Sequence, residues 1–171
     1  NVEVVHQAEF LGELLKQFEK SLAVCGTHGK TTTSAMLAYC LIKLSAHPSY
    51  LVGTSSFNEF YGGDFNSNKY FVIEADEYGL NPPSDVTPKL HFLHPTHCIA
   101  TNIDFDHPDV YADIQATKDM FYTFFQNIVN TSATNKLFVC IDDTDLATVA
   151  EKLPRRSYET FGFDPKADLQ I

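Results

Sequence analysis

The 171-residue sequence has no tryptophan and only two methionines, and no apolar run approaches the ~20 residues of a membrane-spanning helix. We therefore expect no membrane partner. Its four cysteines lie in apolar runs and form no CxxC pair, so we expect buried free thiols, as in a reducing cytoplasm. The chain opens without Met and without a signal-like segment, which predicts a piece of a longer cytoplasmic protein.

Basic residues are also scarce. Twelve Lys and Arg stand against 22 Asp and Glu, which gives a formal net charge of −10. The densest basic pair, Arg155 and Arg156, is too small for a duplex-binding surface, so we expect no nucleic-acid partner. An acidic protein of this kind can bind phosphate only locally, through loop amides, a lysine and a cation. The length and the hydrophobic fraction of 44% suit one globular domain.

Helical and strand-like patterns alternate along the chain. The periodicity predicts helices over 8–20, 30–44, 113–129 and 143–153, and the second should bury Met36, Leu37, Leu41 and Leu44. Apolar runs predict strands over 22–25, 50–52, 69–76, 97–103 and 136–141, with a strand-like segment over 156–163. Residues 53–68 read as a loop or hairpin, and three prolines within 78–89 predict a loop without regular structure. The alternation predicts an α/β fold with a mostly parallel sheet and helices on both faces.

A glycine-rich stretch, "CGTHGKTTT" (25–33), follows the first predicted strand. The common phosphate-binding pattern G-x-x-x-x-G-K-[ST] would need glycine where Val24 stands, so a tighter loop from Gly26 to Gly29 remains. Unpaired amides and the dipole at the start of the next helix favour an anion there, which makes the fold P-loop NTPase-like. We expect Lys30 to be an exposed ammonium whose loss leaves the fold intact, and Thr31 to bind Mg²⁺. The alternative is a strand-to-helix turn capped by threonine.

Two later strands also end in polar groups. Glu74 ends an apolar strand, where a carboxylate suits a metal ion; on an extended backbone Asp76 shares its face and Glu77 points the other way. Asp76 and Glu77 are either ligands or part of a solvated acidic loop. His107, in "DFDHPD", is either a turn residue or a metal ligand. Because ligands gather beyond the carboxyl ends of parallel strands, we expect these groups to converge on the glycine loop.

Three further histidines, His91, His94 and His97, superficially suggest zinc. Pro95 prevents a helix that would stack them, and no cysteine pair completes a tetrahedral set. A loop leading into a strand is the favoured interpretation.

The loop "GTHGKTTT" resembles the ATP-binding loop of the Mur ligase family, which includes the folylpolyglutamate synthases. "FVIEADEY" (71–78), "TNIDFDHPDVY" (101–111) and the late "CIDD…FGF…ADLQI" stretch follow in the family's order, so the resemblance spans essentially the whole chain. Histidine in third place resembles the branch that joins UDP-N-acetylmuramate to L-alanine or to a murein tripeptide. The resemblance implies a linker and entering helix over 1–20 and a central ATP-binding domain over 21–171. It further implies that the N-terminal UDP-binding and C-terminal amino-acid domains of the family lie outside the given sequence.

The activity that the resemblance implies is an ATP-dependent amide ligation in peptidoglycan precursor synthesis. The carboxylate of UDP-N-acetylmuramate becomes an acyl phosphate, which the amine of L-alanine attacks. ATP and Mg²⁺ are the implied cofactors, the flanking domains of the same chain are the implied partners, and the fragment alone is expected not to complete ligation. Alternatives are a murein tripeptide ligase, a folylpolyglutamate synthase-like ligase, a P-loop switch and a non-catalytic nucleotide-binding module. An NKxD-type guanine loop is missing, since "TNID" lacks its lysine.

The resemblance also implies roles for individual residues. The loop residues implied to bind nucleotide are Gly26, Thr27, His28, Gly29, Lys30, Thr31 and Thr32. The implied catalytic residues are Lys30, Glu74 and His107, and the implied metal ligands are Thr31, Glu74 and His107.

One position departs from the pattern of several family members, which carry a carbamylated lysine after the histidine. The aligned position here holds Phe121, and Lys118 lies about one helical turn earlier. This fits the alanine-adding branch and leaves the ligands of a second ion open. Nearby carboxylates are expected to orient the histidine or to cap the following helix: Asp104, Asp106 and Asp109.

Overall fold

A computed structural model describes residues 4–171, so the first three residues of the predicted linker lie outside the described residues. In chain order the strands are β1 (Lys20–Cys25), β2 (Ser49–Phe57), β3 (Phe60–Asp64), β4 (Tyr70–Glu74), β5 (Gly79–Asn81), β6 (Asp85–Pro88), β7 (His97–Ala100), β8 (Lys136–Cys140), β9 (Tyr158–Gly162) and β10 (Leu169–Gln170). Eight of them form one sheet in the order β10-β9-β8-β7-β1-β4-β2-β3, and β5 pairs with β6 separately. Neighbours in the large sheet run parallel except β2 and β3.

Four α-helices cover the sheet: α1 (Gln7–Leu15), α2 (Lys30–Lys43), α3 (Ile114–Thr131) and α4 (Thr144–Ala150). Helix α2 lies on one face, where Ala38 packs with Tyr50, Val52 and Val72. The larger core on the other face takes apolar side chains from α1, α3 and α4. The predicted α/β fold with helices on both faces is confirmed.

Strand β4 shows why its sequence is apolar without alternation. Phe71 and Ile73 pack into the larger core, whereas Val72 between them packs under α2. Successive side chains of a strand point to opposite faces, so a strand covered on both faces needs apolar residues throughout. This burial fixes β4 beside β1 and so places its acidic end next to the glycine loop.

The end of the first helix and the buried face of the second differ from the prediction. Helix α1 ends at Leu15 rather than near 20, and Phe18 packs on Phe71 from the turn that follows, with ring centroids 4.7 Å apart. In α2, Met36 and Leu44 are 62% and 76% exposed. The short side chains of Ser34 and Ala38 are buried instead, because α2 lies close against the sheet.

Two segments predicted as irregular contain strands. Residues 49–64 form the β2–β3 hairpin, which confirms the hairpin alternative. Within 78–89, β5 and β6 pair antiparallel, so the prediction of a loop without regular structure is wrong there. Pro82 and Pro83 lie between the two strands and Pro88 ends the second, where a missing backbone donor is tolerated.

The cysteines are not uniformly buried. Cys25 and Cys98 are buried in neighbouring strands with their sulfurs 3.4 Å apart, whereas Cys40 is exposed on α2 and Cys140 is half-buried. The prediction of four buried thiols is therefore wrong for the last two. Among residues 4–171, no helix is both long enough and apolar enough to cross a membrane.

Candidate functional site

The glycine loop lies between the end of β1 at Cys25 and the start of α2 at Lys30. Gly26 has φ +130°, and a Cβ there would lie 2.2 Å from Thr101 Oγ1. Gly29 has φ +81° and open space where a Cβ would stand, so its dihedral angle rather than crowding favours glycine. Gly29 is itself the N-cap of α2 and makes no side-chain capping hydrogen bond, so the threonine cap expected in the alternative of a plain turn is wrong.

The segment that follows β7 holds this loop in place. The His28 amide donates to Asn102 Oδ1 (2.8 Å), and the Thr27 amide donates to the Asn102 carbonyl (3.1 Å). The His28 carbonyl accepts from Thr101 Oγ1 (2.8 Å) and Asn102 Nδ2 (2.9 Å). The sequence pattern of "TNID" predicts a strand end and a family signature but does not indicate this supporting role.

Asp104 connects the same segment to the front of the loop. Its amide donates to Thr27 Oγ1 (2.8 Å), and that hydroxyl donates to the Asp104 carbonyl (3.2 Å). The carboxylate lies 3.5 Å from His28 Nε2, and the His28 side chain is 59% exposed above the loop. Loop conformation is therefore determined by contacts with residues more than 70 positions away, before any ligand binds.

Lys30 points into the loop rather than into solvent. Its ammonium donates to the carbonyls of Gly26 (2.7 Å) and Thr27 (2.9 Å) and to Glu77 Oε1 (3.0 Å). The side chain is only 15% exposed. The expectation of an exposed ammonium is therefore wrong, because the loop curls around the lysine and supplies its acceptors.

Thr31 and Glu74 meet at the carboxyl end of β4. Thr31 Oγ1 donates to Glu74 Oε2 (3.1 Å), and Ser34 Oγ donates to Oε1 (3.0 Å). The Gly53 amide also donates to Oε1, which holds the carboxylate from three sides. A hydroxyl next to a carboxylate matches the hard oxygen ligands that Mg²⁺ prefers. Ser34 and Gly53 were not predicted, because their part depends on how α2 and β2 pack against β4.

Beyond the end of β4, the two remaining acidic residues separate. Glu77 is 1% exposed, and its Oε1 lies 3.3 Å from His107 Nε2 as well as 3.0 Å from Lys30 Nζ. Asp76 instead pairs with Lys89 at 2.8 Å. The expectation that Asp76 would share the face of Glu74 is wrong, because the strand ends at Glu74 and the chain turns. The solvated-loop alternative is wrong for Glu77.

His107 is held from the side by aromatic residues. The Tyr78 ring packs against its imidazole with centroids 4.9 Å apart, and the Tyr78 hydroxyl donates to Asp109 Oδ2 (2.7 Å). The Tyr111 hydroxyl donates to the Glu77 carbonyl (2.5 Å), and burial, with the negative charge of Glu77, raises the pKa of Tyr111 well above its usual range. Asp109 thus orients His107 through Tyr78.

The helix after this histidine, α3, is not capped by any of the three carboxylates expected to do so. Asp113 is the N-cap of α3 and accepts from the Ala116 amide (2.8 Å). On α3, Phe121 is fully buried against Phe125, and Lys118 pairs with Asp145 at 2.7 Å. The position aligned with the modified lysine therefore belongs to the core.

The other predicted candidates lie elsewhere. His91 is in a 3₁₀ turn (Lys89–Phe92), His94 is in the loop after it, and His97 begins β7. Among residues 4–171, no three His, Cys, Asp or Glu side chains gather in an arrangement that could hold a metal ion. Any ion between Thr31 and Glu74 would thus need oxygen ligands from a bound molecule, as Mg²⁺ usually does.

A groove of 340 Å³ lies beside Thr31 and Thr32, between the first half of α2 and residues 54–58 of β2 and the turn after it. Its walls are mostly apolar and include Met36, Tyr39 and Phe57. Thr31 therefore both contacts the carboxylate of β4 and lines this groove, whereas Lys30 and His107 do not line it.

Comparison with known proteins shows which family the chain resembles in sequence. The family model described as the Mur ligase middle domain matches residues 24–171. The UDP-N-acetylmuramate–L-alanine ligase of Chlorobium phaeobacteroides is 33% identical over 168 residues, which cover 98% of this chain and 33% of that protein. That of Caldicellulosiruptor bescii is 38% identical over 155 residues, covering 90% and 31%. The chain spans about one third of the length of these curated relatives.

Solved structures agree with this match. The UDP-N-acetylmuramate:L-alanyl-γ-D-glutamyl-meso-diaminopimelate ligase of Neisseria meningitides has a TM-score of 0.77 at 30% identity, over 91% of this chain and 49% of that one. The UDP-N-acetylmuramate–alanine ligase of Thermotoga maritima has a TM-score of 0.65 at 25% identity, over 91% and 32%. E. coli FolC, solved in complex with DHPP and ADP, has a TM-score of 0.57 at 13% identity, over 94% of this chain and 48% of that one, which shows a shared fold only.

Proposed function

Because the chain belongs to the Mur ligase family through its middle domain, we propose that it is the ATP- and Mg²⁺-binding domain of a cytoplasmic, ATP-dependent amide ligase. The carboxylate of UDP-N-acetylmuramate is activated as an acyl phosphate, and the amine of L-alanine attacks it. Residues 21–171 would be the central domain, and the UDP-binding and amino-acid-binding domains would flank it in a longer protein. The observation that carries the proposal is the convergence of Lys30, Thr31, Glu74 and His107 around one glycine loop.

Phosphate binding is the first task that the loop would perform. The amides at the start of α2 have no partners within the helix, and together with the helix dipole they favour an anion. Seven loop residues would form this cradle: Gly26, Thr27, His28, Gly29, Lys30, Thr31 and Thr32. Lys30 already lies at the loop, where its ammonium would neutralise charge on the transferred phosphoryl group once it exchanges its carbonyl partners for phosphate oxygens.

Thr31 and Glu74 would hold Mg²⁺, and their oxygen atoms fit that ion. A bound Mg²⁺ supplies charge neutralisation at the phosphate oxygens. His107, held by Tyr78 and Glu77, would face the same phosphates from the β7 side as a ligand of a second ion. Together with Lys30, these groups explain how a protein with a formal charge of −10 can bind a polyanionic nucleotide.

A second candidate within the family is ligation of a murein tripeptide instead of L-alanine. The specific observation in its favour is the Neisseria meningitides structure, whose similarity is at the level of 30% identity and a TM-score of 0.77. Folate-type ligation rests on fold alone at 13% identity, so we do not favour it.

The experiment is phosphate release by the full-length protein that contains this chain. MgATP and UDP-N-acetylmuramate are supplied with L-alanine, with the tripeptide, or with neither amine. We expect release that requires UDP-N-acetylmuramate and one of the two amines, and the preferred amine decides between the candidates. Release that ignores UDP-N-acetylmuramate, or that proceeds equally with GTP, would contradict the proposal.

Matched lysine variants in α2 connect that activity to the loop. Lys30→Met should abolish amine-dependent release. Lys43→Met should not, because Lys43 is 52% exposed at the far end of the same helix, where it pairs with Glu59 and lies over the rings of Tyr39 and Phe60.

A further inference from the structure

We propose that Glu77 is a positioning residue for the reaction, which sets the spacing between Lys30 and His107. This inference rests on the proposed function. It concerns a residue that is not among the catalytic, nucleotide-binding or metal-binding residues implied by the resemblance, and to which the family match gives no role. The observation behind it is a single buried carboxylate placed between two functional side chains from different elements.

Glu77 joins three separate parts of the fold. Lys30 is the first residue of α2, His107 lies in the loop after β7, and Glu77 itself follows β4. Its Oε1 is 3.0 Å from Lys30 Nζ and 3.3 Å from His107 Nε2. No other side chain in the described range 4–171 pairs with both of these residues. The distance between the loop cation and the histidine therefore depends on this one carboxylate.

Burial of the Glu77 carboxylate costs desolvation free energy, which a solvent-exposed acidic residue does not lose. The Glu77 side chain is 2% exposed, and its Oε1 and Oε2 lie 3.0 Å and 2.8 Å from Lys30 Nζ. Removing a carboxylate from water costs desolvation free energy even when a cation pairs with it. A solvated alternative exists next to it in Asp76, whose side chain is 39% exposed. The fold thus holds Glu77 inward despite that cost.

The backbone around Glu77 fixes its direction. Tyr111 is 7% exposed, and its hydroxyl donates to the Glu77 carbonyl at 2.5 Å. The next residue, Tyr78, packs on the His107 ring and bonds Asp109. Glu77 is consequently anchored through its own carbonyl and through the residue that follows it, which is what a residue that positions other groups requires.

Charge gives this role a distinctive signature. A negative carboxylate close to the phosphate site repels the nucleotide, so Glu77 does not serve affinity. If Glu77 instead positions Lys30 and His107, removal of its charge should leave the affinity for nucleotide unchanged or higher, while turnover falls. Purely structural damage would weaken binding and turnover together. The two roles therefore predict different directions for the change in MgATP affinity.

The test compares the wild-type full-length protein with Glu77→Gln, which keeps the shape and one acceptor oxygen. MgATP affinity is measured by calorimetric titration, and amine-dependent phosphate release is measured at saturating ATP. We expect MgATP to bind at least as tightly and turnover to fall by about ten- to a hundredfold, the scale of a misplacement of ~1 Å. Turnover within about threefold of wild type, or a loss of MgATP affinity in parallel with turnover, would overturn the inference.

Two further variants control for charge and for folding. Asp76→Asn makes the same charge change one residue away, keeps one acceptor oxygen for the Tyr78 amide but loses the one that Lys89 uses, and should turn over like wild type. An equal loss in Asp76→Asn would overturn the inference, because loop charge in general would then explain the effect. If Glu77→Gln does not fold, Glu77→Asp takes its place, because it keeps the charge and moves the carboxylate back by one methylene. Wild-type turnover in Glu77→Asp would overturn the positioning role. Reduced turnover with unchanged MgATP affinity would support it.

The proposed function can fail separately. Wild-type protein that binds no MgATP would overturn the ligase proposal and this inference with it. Wild-type protein that ligates normally beside an equally active Glu77→Gln would overturn only the role of Glu77.

Discussion

Replacing Lys30 by alanine should destabilise the protein as well as stop the reaction. The ammonium neutralises Glu77 and satisfies the carbonyls of Gly26 and Thr27. With side chains 15% and 2% exposed, Lys30 and Glu77 are little screened by water, and removal of one partner of a buried pair costs about 3–5 kcal/mol. The better helix propensity of alanine returns only a few tenths of a kcal/mol. We expect the free energy of unfolding to fall by about 3 kcal/mol or more.

Urea unfolding of three variants tests this magnitude. Lys30→Ala leaves a buried carboxylate without a cation, whereas Lys30→Ala/Glu77→Gln leaves no charge to compensate. The double variant should therefore recover about half of the lost stability, a coupling on the scale expected of contacting residues. Lys43→Ala removes an exposed lysine of the same helix and should stay within about 0.5 kcal/mol of wild type.

Two results would refute this reasoning. A loss below about 1 kcal/mol in Lys30→Ala would mean that Glu77 is not dependent on its cation. A double variant less stable than Lys30→Ala would mean that the two side chains contribute independently. Since stability and chemistry change together in Lys30→Ala, its phosphate release has meaning only at temperatures well below its own melting transition.

The remaining predictions concern the glycines and the C-terminal strands. Gly26→Ala should lower the free energy of unfolding by about 2–4 kcal/mol, because its Cβ would lie 2.2 Å from Thr101 Oγ1 at φ +130°. Gly29→Ala meets only the strain of φ +81° and should lower it by about 1–2 kcal/mol. Equal losses of stability in urea unfolding would contradict the crowding argument. Hydrogen bonds from Arg155 lower the pKa of Asp168 from 3.8 to about 2. A lowered native pKa stabilises the fold above the unfolded pKa and loses that effect as pH falls. The stability difference between wild type and Asp168→Asn should accordingly be constant above about pH 5 and shrink between pH 4 and 2; a difference that persists at pH 2 would contradict it.

The sheet and the loop could be predicted from sequence because their signals are local. Strands buried on both faces require continuous apolar runs, and Gly-Lys-Thr after such a run marks a strand-to-helix turn that binds anions. The order of the strands then brings Glu74 and His107 to the same edge, since both follow parallel strands close to β1.

The side of the chain to which Glu77 points could not be predicted in the same way. Period-two alternation holds only while the strand continues, and β4 ends at Glu74 instead of continuing to Asp76. If β4 ended one residue earlier or later, the side chains of Asp76 and Glu77 would exchange the directions in which they point. The same limit explains Phe18, which packs into the core from a turn beyond the end of α1.

Support between distant segments is also invisible in a single sequence. Asn102 holds the glycine loop through hydrogen bonds to His28, 74 residues earlier. Nothing in the local pattern of "TNID" indicates this partner. It follows only once β1 and β7 are known to be neighbours in the sheet.

The most direct measurement is a crystal structure of the protein with Mg²⁺ and a non-hydrolysable ATP analogue. We predict the β- and γ-phosphates on the amides of the Gly26–Thr32 loop, Mg²⁺ on Thr31 Oγ1 and Glu74, and Lys30 Nζ moved from the loop carbonyls to the phosphates. Phosphates bound elsewhere, for example in the groove beside Thr32 and Met36, or an ion that contacts neither Thr31 nor Glu74, would contradict the assignment of this loop as the site of ATP-dependent ligation.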